Sequence, residues 1–162
     1  MARVEKTVEI ERPIRMVYDQ WTQFEEFPRF MEGVEEVQQL DEKTLHWRAR
    51  IGGKTEEWEA EIVQQVPDQA IAWRHTRGAV NSGVVTFVPV DGERTRVSLA
   101  LDYDPQGFVE KVGDILGVVS RRVEGDLERF KTFLEERVTE TGAWRGQVKP
   151  TGEVDPHPTD PR

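Results

Sequence analysis

Apolar residues alternate with charged ones from the start of the chain: Val4, Val8 and Ile10 sit among Arg3, Glu5, Glu9 and Glu11. This is the period-two pattern of a half-buried strand. Pro13 then suits a first helical turn, and Ile14, Val17, Tyr18 and Trp21 recur at helical spacing, predicting a short helix with one apolar face. Thr22 and Glu25 have the spacing of a capping box, which predicts a second short helix that Pro28 ends by disfavouring helical geometry at Phe27.

From Gly33 to Asp104 the period returns to two, punctuated by Asp41-Glu42-Lys43, Gly52-Gly53, Pro67-Asp68, Arg77-Gly78 and Asp91-Gly92. Six meandering strands follow from that spacing. A two-residue loop at Gly52-Gly53 sets the register of its hairpin, with Arg50 opposite Thr55, Arg48 opposite Glu57 and His46 opposite Glu59 on a solvated face. The other face then pairs Trp47 with Trp58 and Leu45 with Ala60, and is the interior. Around Asp91-Gly92-Glu93, face matching favours a three-residue loop that pairs Phe87 with Val97, Val85 with Leu99 and Asn81 with Tyr103. Ile71, Trp73 and His75 share a third inward parity.

Beyond the turn residues Asp104-Pro105-Gln106-Gly107, Phe108, Val112, Ile115, Leu116, Val119, Val123, Leu127, Phe130 and Leu134 recur in three- and four-residue steps. One helix from Phe108 to Arg137, about 45 Å long, is predicted, with any bend at Gly113 and Gly117. After Glu140 the periodicity stops, and Pro150, Pro156, Pro158 and Pro161 follow without a hydrophobic pattern. The expected division is one folded domain over residues 1–138 and a disordered tail over 139–162, with Trp144 able to dock on the domain or on a partner.

With one apolar sheet face and one helix long enough to cover it, the sheet must curl around the helix, with the first strand closing on the seventh. Charge narrows the partners. There are 31 Asp and Glu against 22 Lys and Arg, a net charge of -9, so the long-range field repels phosphate backbones and excludes a nucleic-acid partner. No run is long and apolar enough to span a bilayer, and no basic-then-apolar leader opens the chain. The absence of cysteine removes thiol chemistry and suits a reducing compartment, so the chain reads as cytoplasmic, a monomer or homodimer. His46, His75 and His157 have no metal-ligand spacing, and no cofactor motif is present.

The runs VYDQWTQFEEFPRFMEGVEEV, LHWRARIGGKTEEWEAEI, IAWRHTRGAVNSGVVTF and VEGDLERFKTFLEER resemble bacterial START-like (SRPBCC) proteins of the polyketide cyclase/dehydrase and coenzyme Q-binding group, over about Arg3 to Arg137. The resemblance implies an α+β helix-grip fold: a seven-stranded antiparallel sheet curled around the long C-terminal helix, two short helices between strands one and two, and a cavity between sheet and helix. It implies lipid, quinone or polyketide-like ligands without fixing one, and no catalytic signature of the enzymatic members maps onto this chain.

Candidate site residues are those that parity or the implied fold directs inward. His75 and Glu56 are the candidates for moving protons; the alternatives are a hydrogen-bonded strand-end histidine and a carboxylate at a solvated rim. Asn81 and Tyr103 either hold a ligand carbonyl or satisfy each other. Trp47, Trp58 and Trp73 either stack on a planar ligand or fill the core. Phe27, Phe30 and Met31 lie at the mouth of the implied cavity, and Leu116 on its helical wall. Three functions stay open: a binding protein for an apolar or aromatic small molecule, an aromatase/cyclase or dehydrase, and a protein-interaction module.

Overall fold

The first strand, β1 (Ala2–Ile10), hydrogen-bonds along its whole length to the last long one, β7 (Arg94–Tyr103), from Ala2 opposite Tyr103 to Ile10 opposite Thr95. Between them run helix α1 (Ile14–Trp21), a 3-10 helix (Phe24–Arg29), β2 (Val34–Gln39), β3 (Thr44–Ile51), β4 (Lys54–Val66), β5 (Ala70–Gly78) and β6 (Asn81–Asp91). Helix α2 (Ile115–Glu135) follows, then the short strands β8 (Gln147–Val148) and β9 (Val154–Asp155). The computed structural model describes residues 2–51, 53–104 and 115–158, with the side chains of all but Ile115 and Leu116. The expected first turns of the long helix, and Gly113 with them, lie outside the described residues.

The antiparallel order is β1-β7-β6-β5-β4-β3-β2. Register shifts in the β4–β5 pairing, between Glu59 and Ala60 and between Ile62 and Gln64, are bulges, the usual device by which a long strand bends. The β3–β4 hairpin has the register its loop length dictates, with Trp47 opposite Trp58 and Ala49 opposite Glu56. The β6–β7 hairpin keeps Phe87 opposite Val97 and Asn81 opposite Tyr103, but its loop is shorter than the expected three residues. Asp91 pairs directly with Arg94 after a shift beyond Pro89, because its carboxylate accepts from both the Glu93 N–H and the Arg94 side chain.

The anticipated capping box does not form. Thr22 Oγ1 donates to the Asp19 carbonyl and accepts from the Trp144 N–H, while Glu25 accepts from the Gln39 N–H on β2. The second helix is instead a 3-10 segment that contains Pro28. One turn closes before the proline, Glu26 N–H to Gln23 C=O, and another after it, Phe30 and Met31 N–H to Phe27 C=O, so the missing proline donor is not needed at the join.

Residues 139–158, expected to be disordered, pack back on the domain. Thr141 exchanges hydrogen bonds with Gln20 in both directions, Arg145 bridges the carboxylates of Asp19 and Asp68, and Val148, fully buried, pairs β8 with β4 opposite Gln65. This adds two short strands to the expected seven. It also explains why α1 is buried on nearly every side, from Met16 to Trp21, rather than on one face. Trp144 docks on its own domain, its N–H on Thr22 and its ring against the core. Under this strap Gln65 donates to the Tyr18 hydroxyl, and burial raises the proton affinity of both Tyr18 and Asp19 against the pull of Arg145. The far end of α2 is tied to β1 and the turn after it: Arg12 donates to the carbonyls of Glu135 and Arg137, and Lys131 to that of Glu9.

Candidate functional site

Between the inner face of the sheet and α2 lies a cavity of about 160 Å³. Its sheet side is built by inward parity: Leu45, Trp47 and Ala49 on β3, Trp58, Ala60 and Ile62 on β4, Ile71 and Trp73 on β5, Asn81 on β6, and Leu99 and Leu101 on β7. Val119, Arg122, Val123, Asp126 and Leu127 of α2 form the opposite wall, while Trp21, Phe24, Phe27, Met31 and Val34 close one end. Ala49 and Ala60, both almost fully buried, contribute only methyl groups to the wall and so leave space that longer side chains would occupy. Trp47 and Trp58 stack at a centroid distance of 5.6 Å and an angle of 11°. Trp73 lies across Gly83, where a Cβ would stand 2.6 Å from the indole ring, so glycine there is what admits the tryptophan.

Three non-aromatic polar side chains line this space among the described residues. Asn81 accepts from Trp73 Nε1 at 3.2 Å and donates to the Ala79 carbonyl at 3.0 Å, so it is engaged by these neighbours and not by Tyr103 as one expectation held. Arg122 and Asp126, with Arg129 outside the cavity, project at i, i+4 and i+7 onto the corner between the 3-10 helix and β2. Arg122 Nη1 donates to the carbonyls of Glu32 (2.8 Å) and Arg50 (3.0 Å), and Arg129 Nε to that of Phe30 (2.9 Å). Asp126 Oδ1 accepts from the Glu32 N–H (2.9 Å) and Arg129 Nη2 (2.5 Å). The guanidinium of Arg122 passes so close to Gly33 (φ +80°) that a Cβ there would lie 2.3 Å from Nη1. Burial pushes the Asp126 carboxyl up to about 6, against the opposing pull of Arg129 and the Glu32 N–H.

Of the residues singled out from sequence, Phe27, Met31, Trp47, Trp58, Trp73 and Asn81 lie on the cavity wall. Phe30, His75, Tyr103 and Glu56 sit elsewhere. Phe30 packs between Phe27, Phe130 and Phe133. His75 is half-buried opposite Ala60, and Tyr103 is fully enclosed between β1 and β6. Glu56 stands opposite Ala49, with one buried oxygen lacking a hydrogen bond among the described residues and Lys54 Nζ 3.8 Å away from it. The side chain of Leu116 lies outside the described set. Arg122 and Asp126 were not singled out; the available signal was a pair of opposite charges four apart, flanking the stripe Val119, Val123, Leu127 on one side. No cluster of three or more potential metal ligands occurs among the described residues.

A family model described as polyketide cyclase/dehydrase and lipid transport matches residues 10–132. An uncharacterised 17.2 kDa protein of Streptomyces lincolnensis is 48% identical over 149 residues, covering 91% of this chain and 99% of that one. Among solved structures, a START superfamily protein from Mycobacterium smegmatis superposes with a TM-score of 0.73 at 15% identity, over 83% of this chain and 97% of its own. The Zhui aromatase/cyclase from Streptomyces sp. R1128 gives 0.72 at 21%, over 88% and 98%. Likeness at that level of identity shows the shared helix-grip fold.

Proposed function

Because the chain belongs to the polyketide cyclase/dehydrase and lipid transport family, we propose that its cavity binds a small apolar or aromatic molecule without covalent chemistry. The observation that carries this reading is the cavity itself, about 160 Å³ with tryptophan, leucine and isoleucine walls. A dry apolar cavity of about 150 Å³ is large enough to take up benzene. Drug-sized sites run to about 300 Å³ and more. The volume therefore favours one ring, or the end of a longer lipid, quinone or polyketide-like molecule whose remainder projects from the site. Titrating the full chain with toluene while following tryptophan fluorescence tests this reading, since Trp47, Trp58 and Trp73 form the wall. A saturable change supports binding, and an unresponsive spectrum together with a ligand-free native mass spectrum overturns it.

A second reading, an aromatase/cyclase or dehydrase acting on a polyketide-like substrate, draws support from one feature. Asp126 lines the cavity and holds its proton to about pH 6, within reach of acid–base work. Turnover of a poly-β-ketone thioester analogue that disappears in Asp126→Asn would support it, and unchanged substrate after prolonged incubation would remove it.

A further inference from the structure

The polar side chains of the cavity wall differ in what they have left to offer. The Asn81 amide is engaged at both ends, by Trp73 Nε1 and the Ala79 carbonyl, and its remaining capacity is that of a neutral group. Arg122 is pinned by two backbone carbonyls through Nη1. Asp126 is different: both of its hydrogen bonds enter Oδ1, from Glu32 N–H and from Arg129, and Oδ2 accepts none among the described residues. The carboxylate is held rigidly by one oxygen and leaves the other unused, on a side chain only 14% exposed. Oδ2 is not sealed in protein, so a ligand that supplies a donor can reach an acceptor no described group already uses.

We propose that Asp126 Oδ2 is the polar anchor of the cavity, and that it selects ring-sized ligands carrying a hydrogen-bond donor, an aromatic hydroxyl above all. The proposal rests on the reading that the cavity takes a small aromatic molecule. The ring lies against the tryptophan wall while the hydroxyl donates to Oδ2. A hydroxyl-to-carboxylate hydrogen bond is charge-assisted and about twice as strong as a neutral one. The ligand class is therefore phenolic rather than purely hydrocarbon.

Phenol and toluene, titrated calorimetrically into the full chain and into Asp126→Asn, separate this inference from the reading beneath it. In the variant the amide oxygen can still accept from Glu32 N–H and Arg129, which turns an NH₂ donor toward the cavity. The affinity of phenol relative to toluene should then fall about tenfold, the worth of one charge-assisted hydrogen bond, while toluene itself changes less than about twofold. Toluene binding to both proteins with an unchanged phenol-to-toluene ratio overturns the anchor and leaves the cavity reading intact. Failure of both phenol and toluene to bind overturns the cavity reading along with the anchor. Should the variant not fold, the wild type decides: phenol at saturation shifts the ¹³C resonance of the Asp126 carboxyl and toluene does not. Equal shifts, or none with phenol, refute the proposal.

Discussion

The two ends of the space between α2 and the sheet are built from the same elements and finished in opposite ways. At the C-terminal end of the helix, Phe130 and Leu134, both fully buried, belong to the same core cluster as Tyr18, Trp21 and Phe87. The rings there interlock edge to face, Trp21 with Phe130 at 5.0 Å and Tyr18 with Phe87 at 5.2 Å. Toward the other end the helix presents Val119 and Val123, and the sheet answers with Ala49 and Ala60, so the same separation is left partly empty. The closures differ too. Main-chain pairing and the Arg145 bridge hold the strap over the filled end. Three side chains of α2 stitch down the corner beside the hollow one. Side-chain size at facing positions therefore separates core from cavity within one continuous grip.

Emptying the filled end is the harshest way to break this contrast. Phe130→Ala should cost about 3–5 kcal/mol, read from denaturant melts, because a fully buried ring leaves a void its neighbours cannot close. Trp47→Ala, a half-buried residue of the hollow end, should cost less, about 1–2 kcal/mol. Equal losses would mean that the two ends are packed alike. Removing the strap's central bridge comes next. Arg145→Ala leaves Asp19, with its side chain 3% exposed, facing no cation among the described residues but Arg15 at 3.9 Å, and should cost about 2–3 kcal/mol. Toluene affinity should not change, since no strap residue lines the cavity among the described residues.

Filling the hollow end turns the comparison round. Ala60→Leu places a branched side chain in the cavity and should lower toluene affinity at least tenfold, roughly 1.4 kcal/mol, in a fluorescence titration. Its effect on stability should stay within about 1 kcal/mol, because the void absorbs the added volume. A large destabilisation would show that Ala60 is already close-packed.

Where interactions repeat along the chain they could be read from it, and where they do not they could not. The β3–β4 register followed from a two-residue loop and strict alternation, which placed the Trp47–Trp58 stack in advance. Closure of β1 on β7 followed from having one apolar sheet face and one free edge. The strap was illegible because it is held by scattered polar contacts (Gln20, Thr22, Asp19, Asp68) and a single buried valine, none of which makes a period. Parity marked His75 and Tyr103 as inward but could not say how far along each strand the cavity extends. Arg122 and Asp126 escaped notice for a related reason. Charges flank the apolar stripe of α2 on both sides, and only the packing of the Phe30–Gly33 corner decides which side meets the cavity.

The smallest effect belongs to the corner that closes the hollow end, and it carries a sign that distinguishes binding from packing. Burial raises the Asp126 carboxyl to about 6, above its usual value of about 3.9 in an unfolded chain. Between those values the folded protein holds a proton that the unfolded chain has released. The contribution to stability is therefore fully present below about pH 4 and is lost as pH rises through about 6. Asp126→Asn removes this dependence. The variant should match the wild type near pH 4 and be the more stable of the two at pH 7.5, by about 1 kcal/mol once the loss of the Arg129 ion pair is set against relief of the buried charge. Urea melts at the two pH values measure the difference. A variant less stable at pH 7.5 than at pH 4, relative to wild type, would mean that the ionised carboxylate is held chiefly by Arg129 and the Glu32 N–H. A more stable variant that has lost its preference for phenol would identify Asp126 as a residue kept in the wall for its ligand, at the expense of the fold.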